Sequence, residues 1–329
     1  MISSCKSDEH ELQFNRLLEK NIPITTLSAS TTIAEPIRPL PEVKKEDLLS
    51  PMVTLGRKLF HDTRLSGDGT VTCASCHAID KGGDDGAKIS TGIRGQVGFI
   101  NSPTVLNSGF NFRQFWDGRA KNLDEQASEP VESEIEMGAV WEEVVARLDS
   151  DKELKKQFEL AFGDKKITQT NVTYAIARYQ ETLITPSPFD EYLNGNANAI
   201  SFEAKQGYDK FKKYGCVACH QGINVGGNLY QYFGVLQKID LDVHLDDRSN
   251  PIVNERDEEI QFVKVPSLRN VALTAPYFHQ GVINDLSTAI KIMGFSQTGY
   301  KIPDEDVQKI EAFLHSLTGN WRQHADLID

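Results

Sequence analysis

The chain has 329 residues, 39% of them hydrophobic and 25% charged, which excludes a disordered polymer and allows two domains of ordinary size. With 47 acidic against 35 basic residues the net charge is −12, which argues against nucleic acid as the main partner and suits a basic or dipolar protein. No apolar run approaches the ~20 residues that a membrane-spanning helix needs.

The amino terminus reads Met1-Ile2-Ser3-Ser4-Cys5, followed by polar residues. Small residues before a cysteine resemble the end of a lipoprotein processing site, with Cys5 as the lipid anchor and the numbering starting inside a precursor. The alternative is an incidental cysteine in a tail. Residues 1–50 are expected to form a tether and an extended strap over the surface, because Pro36, Pro39, Pro41 and Pro51 disfavour helix. Gly56-Arg57-Lys58-Leu59-Phe60 opens a first domain, 51–188, and precedes Cys73-Ala74-Ser75-Cys76-His77. Val172, Ala175, Ile176, Tyr179 and Leu183 recur at helical spacing. Pro186-Ser187-Pro188 and Asn194-Gly195-Asn196 mark a break. A second domain, 189–329, repeats the pattern with Gly207-Tyr208-Asp209-Lys210-Phe211 and then Cys216-Val217-Ala218-Cys219-His220. Near its end Val307, Ile310, Phe313, Leu314 and Leu317 form another helical stripe, with Pro303, Asp304 and Glu305 suiting its first turn and Gly319 its end. The fold class is mostly α: two cytochrome c-type domains from an internal duplication.

Two Cys-x-x-Cys-His motifs use four of the five cysteines, so a structural disulfide is not expected. The spacing delivers two thioether bonds to a haem edge and a histidine to its iron within one turn of chain. Zinc would prefer a further cysteine pair or paired histidines close by, and a thiol redox pair does not require the histidine. The motifs therefore predict two covalent c-type haems held by Cys73, Cys76 and His77 and by Cys216, Cys219 and His220. Haem attachment of this kind occurs outside the cytoplasm.

The occupant of the second axial position decides what each iron does. Thioether ligation suits electron transfer, and an open position permits oxygen chemistry. Met293, before the terminal helix, stands where a cytochrome c methionine ligand is usually found, although a core methionine would also fit. Met137 could ligate the first haem by spacing. Glu136 beside it would be costly to bury without a purpose, unless it is one solvated member of the run Glu132, Glu134 and Glu136.

Longer segments accompany them: Leu59–Gly67, Asn101-Ser102-Pro103-Thr104-Val105-Leu106-Asn107, Gln114-Phe115-Trp116-Asp117-Gly118-Arg119-Ala120, Glu136-Met137, Lys264-Val265-Pro266-Ser267-Leu268-Arg269-Asn270 and Thr274-Ala275-Pro276-Tyr277-Phe278-His279-Gln280-Gly281. With the two haem motifs they resemble the bacterial diheme cytochrome c peroxidases from about Pro36 to Asn320. The resemblance implies that the His77 haem is peroxidatic and that Glu136 shuttles a proton between the peroxide oxygens. It makes Trp116 the electron path between the haems, and the His220–Met293 haem the acceptor from a small cytochrome c or cupredoxin. Asn101, Thr274 and Pro276 match an interdomain calcium site, and oxygen ligands suit calcium. Family members are commonly periplasmic homodimers. No ligand role falls to His279.

One departure follows. Many members park a loop histidine on the peroxidatic iron at rest. The matching loop, Gly92-Ile93-Arg94-Gly95-Gln96, has Ile93 there, and no histidine lies between His77 and His220. The first haem is expected to be five-coordinate or water-bound without reductive activation, unless Lys81, Lys88 or Met137 binds it. A peroxide-driven oxidase of partner proteins or organic substrates and a plain electron carrier are the rivals. Met293 speaks against the first, since such oxidases often carry tyrosine there, and Glu136 against the second. His61, His244, His315 and His324 fit no motif, and Trp141 and Trp321 suit packing.

Overall fold

In the computed structural model, residues 35–237 and 262–320 are described, and all the architecture below belongs to the unit Pro36–Asp329. The expectations placed on Cys5, His244, Trp321 and His324 lie outside the described residues. The described residues are mostly helical, with one two-stranded antiparallel sheet of Tyr230–Tyr232 and Phe262–Lys264. None of the described helices is long and apolar enough to cross a membrane.

Two hydrophobic cores part between Leu183 and Phe189. The first surrounds the helix Pro51–Phe60, which starts where Ser50 accepts a hydrogen bond from the Val53 amide and Pro51 presets the first turn. Its Val53, Leu55, Leu59 and Phe60 face inward against the helix Gln169–Glu181. The two backbones touch at Gly56, where a Cβ would come within 1.9 Å of the Ala175 carbonyl oxygen. Trp141 is buried in this core, as its packing role requires.

The second core repeats the device. The helix Phe202–Lys213 meets the helix Asp304–Ser316 at Gly207, where a Cβ would fall 1.8 Å from the Lys309 carbonyl. Phe189, Tyr208, Phe211 and Phe313 fill the space around the crossing, with ring centroids 4.9–5.1 Å apart. Both sequence-derived stripes are the buried faces of these helices. Gly319 does something other than what its position suggested. The helix ends at Ser316, and Gly319 sits where a Cβ would strike the Thr185 carbonyl at 1.9 Å.

Thr185 is the seam between the cores. Its hydroxyl oxygen accepts hydrogen bonds of 2.9 Å from the Asn107 and Asn270 side-chain amides. Asn107 accepts in return from the Thr185 amide and Asn270 from the Gly319 amide. Each asparagine thus clamps the chain leaving one of the two long carboxy-terminal helices.

The strap is extended at Pro36–Pro41 but does more than cover the surface. A proline-rich extended chain has about three residues per turn, so Ile37 and Leu40 share a face, and both are buried. The Arg38 carbonyl accepts from Arg269, and the Leu40 amide donates to Asp190, which forms a fully buried ion pair with Arg269 at 2.9 Å. Lys45–Leu48, expected as strap, is one turn of helix.

Candidate haem sites

Each Cys-x-x-Cys-His motif winds into a single tight turn. Cys73–Cys76 is helical, capped by Thr72 and Ser75 in a reciprocal box, and the His77 amide reaches back to the Cys73 carbonyl at 3.0 Å. Cys216–Ala218 forms a 3-10 turn, and His220 donates to the Cys216 carbonyl at 2.9 Å. The turns bring two thiols and an imidazole to one wall in each half. Both walls face one continuous cavity of about 690 Å³.

The side chains fit haem attachment. All four motif cysteines are free thiols. Burial, aided by Cys76, pushes Cys73 up to about 12, and burial pushes Cys216 up to about 11. A reactive redox pair or a zinc site needs accessible thiolates, which this environment opposes. Among the described residues no group of three or more His, Cys, Asp or Glu side chains forms an ion site. Burial lowers His77, and lowers His220 to about 4, so both imidazoles stay neutral, as an iron ligand must. Their Nδ1 atoms are buried without a hydrogen-bond partner. The backbones of Gly83 and Pro103, and of Val225 and Pro266, lie near enough to raise their basicity somewhat.

The cavity sorts the remaining candidates. Of Glu132, Glu134 and Glu136 only Glu136 lines it, on the side of the first motif, where its charge helps to raise the Cys73 and Cys76 thiols. Its backbone is held by the loop beside it: the Ile93 amide donates to the Glu136 carbonyl at 2.8 Å. A Cβ on Gly92 would lie 2.1 Å from the Ile135 carbonyl, so only glycine lets the loop come this close. Ile93 itself is 2% exposed and packs toward Gly67 and Gly138, away from the cavity lining. Lys81 and Lys88 are exposed and do not line the cavity; Met137 does, while packing in the first core.

Met293 lies on the helix Leu286–Thr298 and lines the same cavity as His220. Trp116 also lines it. Its indole donates to the Asn101 carbonyl at 2.9 Å, and its ring stands 6.1 Å from His279. Asn101, Thr274 and Pro276 all line the cavity. The Asn101 side-chain amide donates to the Ala87 carbonyl at 2.9 Å, which leaves its Oδ1 for another partner.

Sequence reasoning assigned no role to Lys264, Gln180 or His279. All three are buried polar residues that line the cavity. The signal for Lys264 was a lone cation inside the apolar run Phe262-Val263-Lys264-Val265-Pro266.

Two helix pairs crossing at glycines, and two Cys-x-x-Cys-His turns opening on one cavity, fit a chain that carries two haems. Similarity to known proteins gives the family. A model described as "Di-haem cytochrome c peroxidase" matches residues 50–198. The chain is 47% identical to "Cytochrome c peroxidase Ccp" of Escherichia coli (strain K12) over 87% of its own length and 61% of that protein's. It is 42% identical to "Cytochrome c551 peroxidase" of Nitrosomonas europaea over 87% of this chain and 85% of that one. A solved MauG-like protein associated with microbial copper homeostasis matches with TM-score 0.73 and 27% identity over 89% of this chain and 96% of that one. The chain belongs to the di-haem cytochrome c peroxidase family.

Proposed function

We propose that this chain is a cytochrome c peroxidase, reducing hydrogen peroxide to two waters with two protons and two electrons from a small cytochrome c or cupredoxin. The observation that carries this reading is the place of Glu136: it is the one carboxylate of its acidic run that lines the cavity shared with the His77 motif. A haem on His77 would supply the iron and electrons for cleaving the O–O bond. Glu136 accepts a proton from one peroxide oxygen and returns it to the other, so that the far oxygen leaves as water rather than as hydroxyl radical. The Gly92–Ile93 contact fixes the backbone of that carboxylate.

His220 and Met293 would hold the second haem as the electron-accepting site, and Trp116, lining the cavity that both motifs share, would form the path between the two. Asn101 Oδ1 with the Thr274 and Pro276 carbonyls would take a calcium ion. The buried Ile93 supports a first site open at rest, needing no reductive activation. Residues 51–188 and 189–329 are read as two copies of one haem-binding module, on the strength of the matched glycine crossings and asparagine clamps. We place the protein in the periplasm, as a homodimer, tethered if Cys5 carries lipid.

The alternative, a diheme oxidase acting on a partner protein or organic substrate, has the MauG-like structural match in its favour. Met293 favours the peroxidase. The test is a steady-state peroxide assay with reduced cytochrome c, with and without prior reduction of the enzyme, run beside Glu136→Gln. Turnover without a lag, lost in the variant while both haems remain, is the expected result. A lag abolished by prior reduction would overturn the open-site reading, and full turnover in the variant would overturn the proton shuttle.

A further inference from the structure

Several segments of the two halves correspond at one constant offset in the sequence: Asn101 with Lys264, Pro103 with Pro266, Asn107 with Asn270, Phe115 with Phe278 and Trp116 with His279. The backbone confirms the pairing. Asn107 and Asn270 are both left-handed, at φ 60° and 62°, and so are Phe115 and Phe278, at 68° and 66°. The halves exchange matched hydrogen bonds across the cavity floor. The Asn101 amide donates to the His279 carbonyl at 2.8 Å, and the Lys264 amide donates to the Trp116 carbonyl at 3.0 Å. The indole of Trp116 closes the ring on the Asn101 carbonyl.

The correspondence ends at the side chains. Where the first half has the neutral Asn101, the second has Lys264, 7% exposed and lining the cavity. No carboxylate among the described residues forms an ion pair with its ammonium group. The nearest acidic influence is Asp117, which is already engaged by Arg119 at 3.0 Å. Where the first half has Trp116, the second has His279, 4% exposed, with its Nε2 buried and unpartnered. A buried cation without a counter-ion is costly, and a buried imidazole nitrogen without a partner adds to the cost. Burial accordingly pulls Lys264 down to about 8. Both residues meet Trp116, Lys264 by its backbone amide on the Trp116 carbonyl and His279 by its ring against the indole, and both line the cavity. Their common need is an anion at this point of the cavity.

We infer that Lys264, with His279 beside it, is an anion cradle that holds a haem propionate next to Trp116 and raises the reduction potential of that haem. A carboxylate is the one anion that a haem brings permanently into this cavity. It would take a charge-assisted hydrogen bond from the lysine and a second one from His279 Nε2. Lys264 is a positioning residue in this account and touches no peroxide. The inference rests on the two-haem reading but not on the peroxidase activity.

The experiment is a spectroscopically monitored redox titration of both haems in the holoprotein, in wild type, Lys264→Met, Lys264→Gln and Lys264→Arg. The uncharged variants are expected to lower one haem's midpoint potential by at least 59 mV, a tenfold loss in its reduction equilibrium. The arginine variant is expected to stay within a twofold change. Unchanged potentials in the methionine variant, with both haems retained, overturn the inference. If the uncharged variants fail to load haem, arginine must restore loading; failure of arginine as well would make Lys264 a packing element and overturn it too. Inorganic phosphate added at constant ionic strength should leave the wild-type potentials unchanged. A phosphate-dependent potential that disappears in Lys264→Met would assign the cradle to a solvent anion instead. Peroxide turnover is recorded on the same samples. Turnover with Lys264-independent potentials defeats this inference alone, and Lys264-dependent potentials without turnover defeat the activity alone.

Discussion

The two halves around His77 and His220 are built on the same devices and furnished differently. Each crosses two helices at a glycine, coils its cysteines into one turn, and clamps the exit of its long helix with a left-handed asparagine. What differs is the content of the cavity wall. The first half presents Glu136, backed by a loop whose Ile93 is turned into the core. The second presents Met293 from the helix Leu286–Thr298. The shared parts concern holding a flat ligand; the unshared parts concern what that ligand does. In such a pair, chemistry is best sought where the correspondence fails: Glu136 against Met293, and Asn101 and Trp116 against Lys264 and His279.

The sharpest way to break the comparison is Glu136→Gln. We expect peroxide turnover to fall by a factor of about 10²–10⁴, the usual contribution of a positioned proton-transfer group, with both haem spectra intact. A smaller effect would make the first half no more catalytic than the second. Met293→His should leave the first haem unchanged and lower the second haem's potential by some part of the roughly 0.8 V range that axial ligands span. A redox titration checks this.

The shared devices can be tested by equal damage. Gly56→Ala and Gly207→Ala each force a methyl into a carbonyl oxygen. Each should cost about 1–3 kcal/mol, as overpacking does, measured as loss of thermal stability of the holoprotein. A marked inequality would mean that the two crossings are not equivalent.

The smallest expected effect concerns Asp84, a buried carboxylate of the first half. Burial, reinforced by Asp85, raises it to about 7, and one carboxyl oxygen has no partner. An acid whose folded-state pKa lies above its unfolded value weakens the fold progressively as pH rises from the unfolded pKa through the folded one. The stability gained by Asp84→Asn should therefore grow from pH 5 to pH 8, to no more than about 2 kcal/mol after allowing for solvent screening. Paired melting curves at the two pH values check it.

Much of this was legible in the chain itself. The haem motifs need only local spacing, and the two stripes ending near Leu183 and Leu317 follow from helical period. Met293 could be nominated from its place before the terminal helix and Glu136 from the cost of burying a carboxylate, and the resemblance then supplied their roles. What could not be read were the contacts between segments far apart. Thr185 carries no motif, yet it joins both asparagine clamps. Gly319 looked like a helix stop and proved to be a close approach. Ile37 and Leu40 looked like strap residues because their burial depends on Arg269 and Asp190, more than 140 residues away. Lys264 was visible as an oddity, but its meaning came from the cavity it faces.

The central claim is that one iron site is open and the other closed, and a low-temperature spin-resonance spectrum of the fully oxidised protein, with its absorption spectrum, tests it most directly. The account predicts one high-spin or water-ligated haem together with one low-spin haem whose methionine band disappears in Met293→His. Two low-spin haems, each with a protein side chain on both faces, would contradict it.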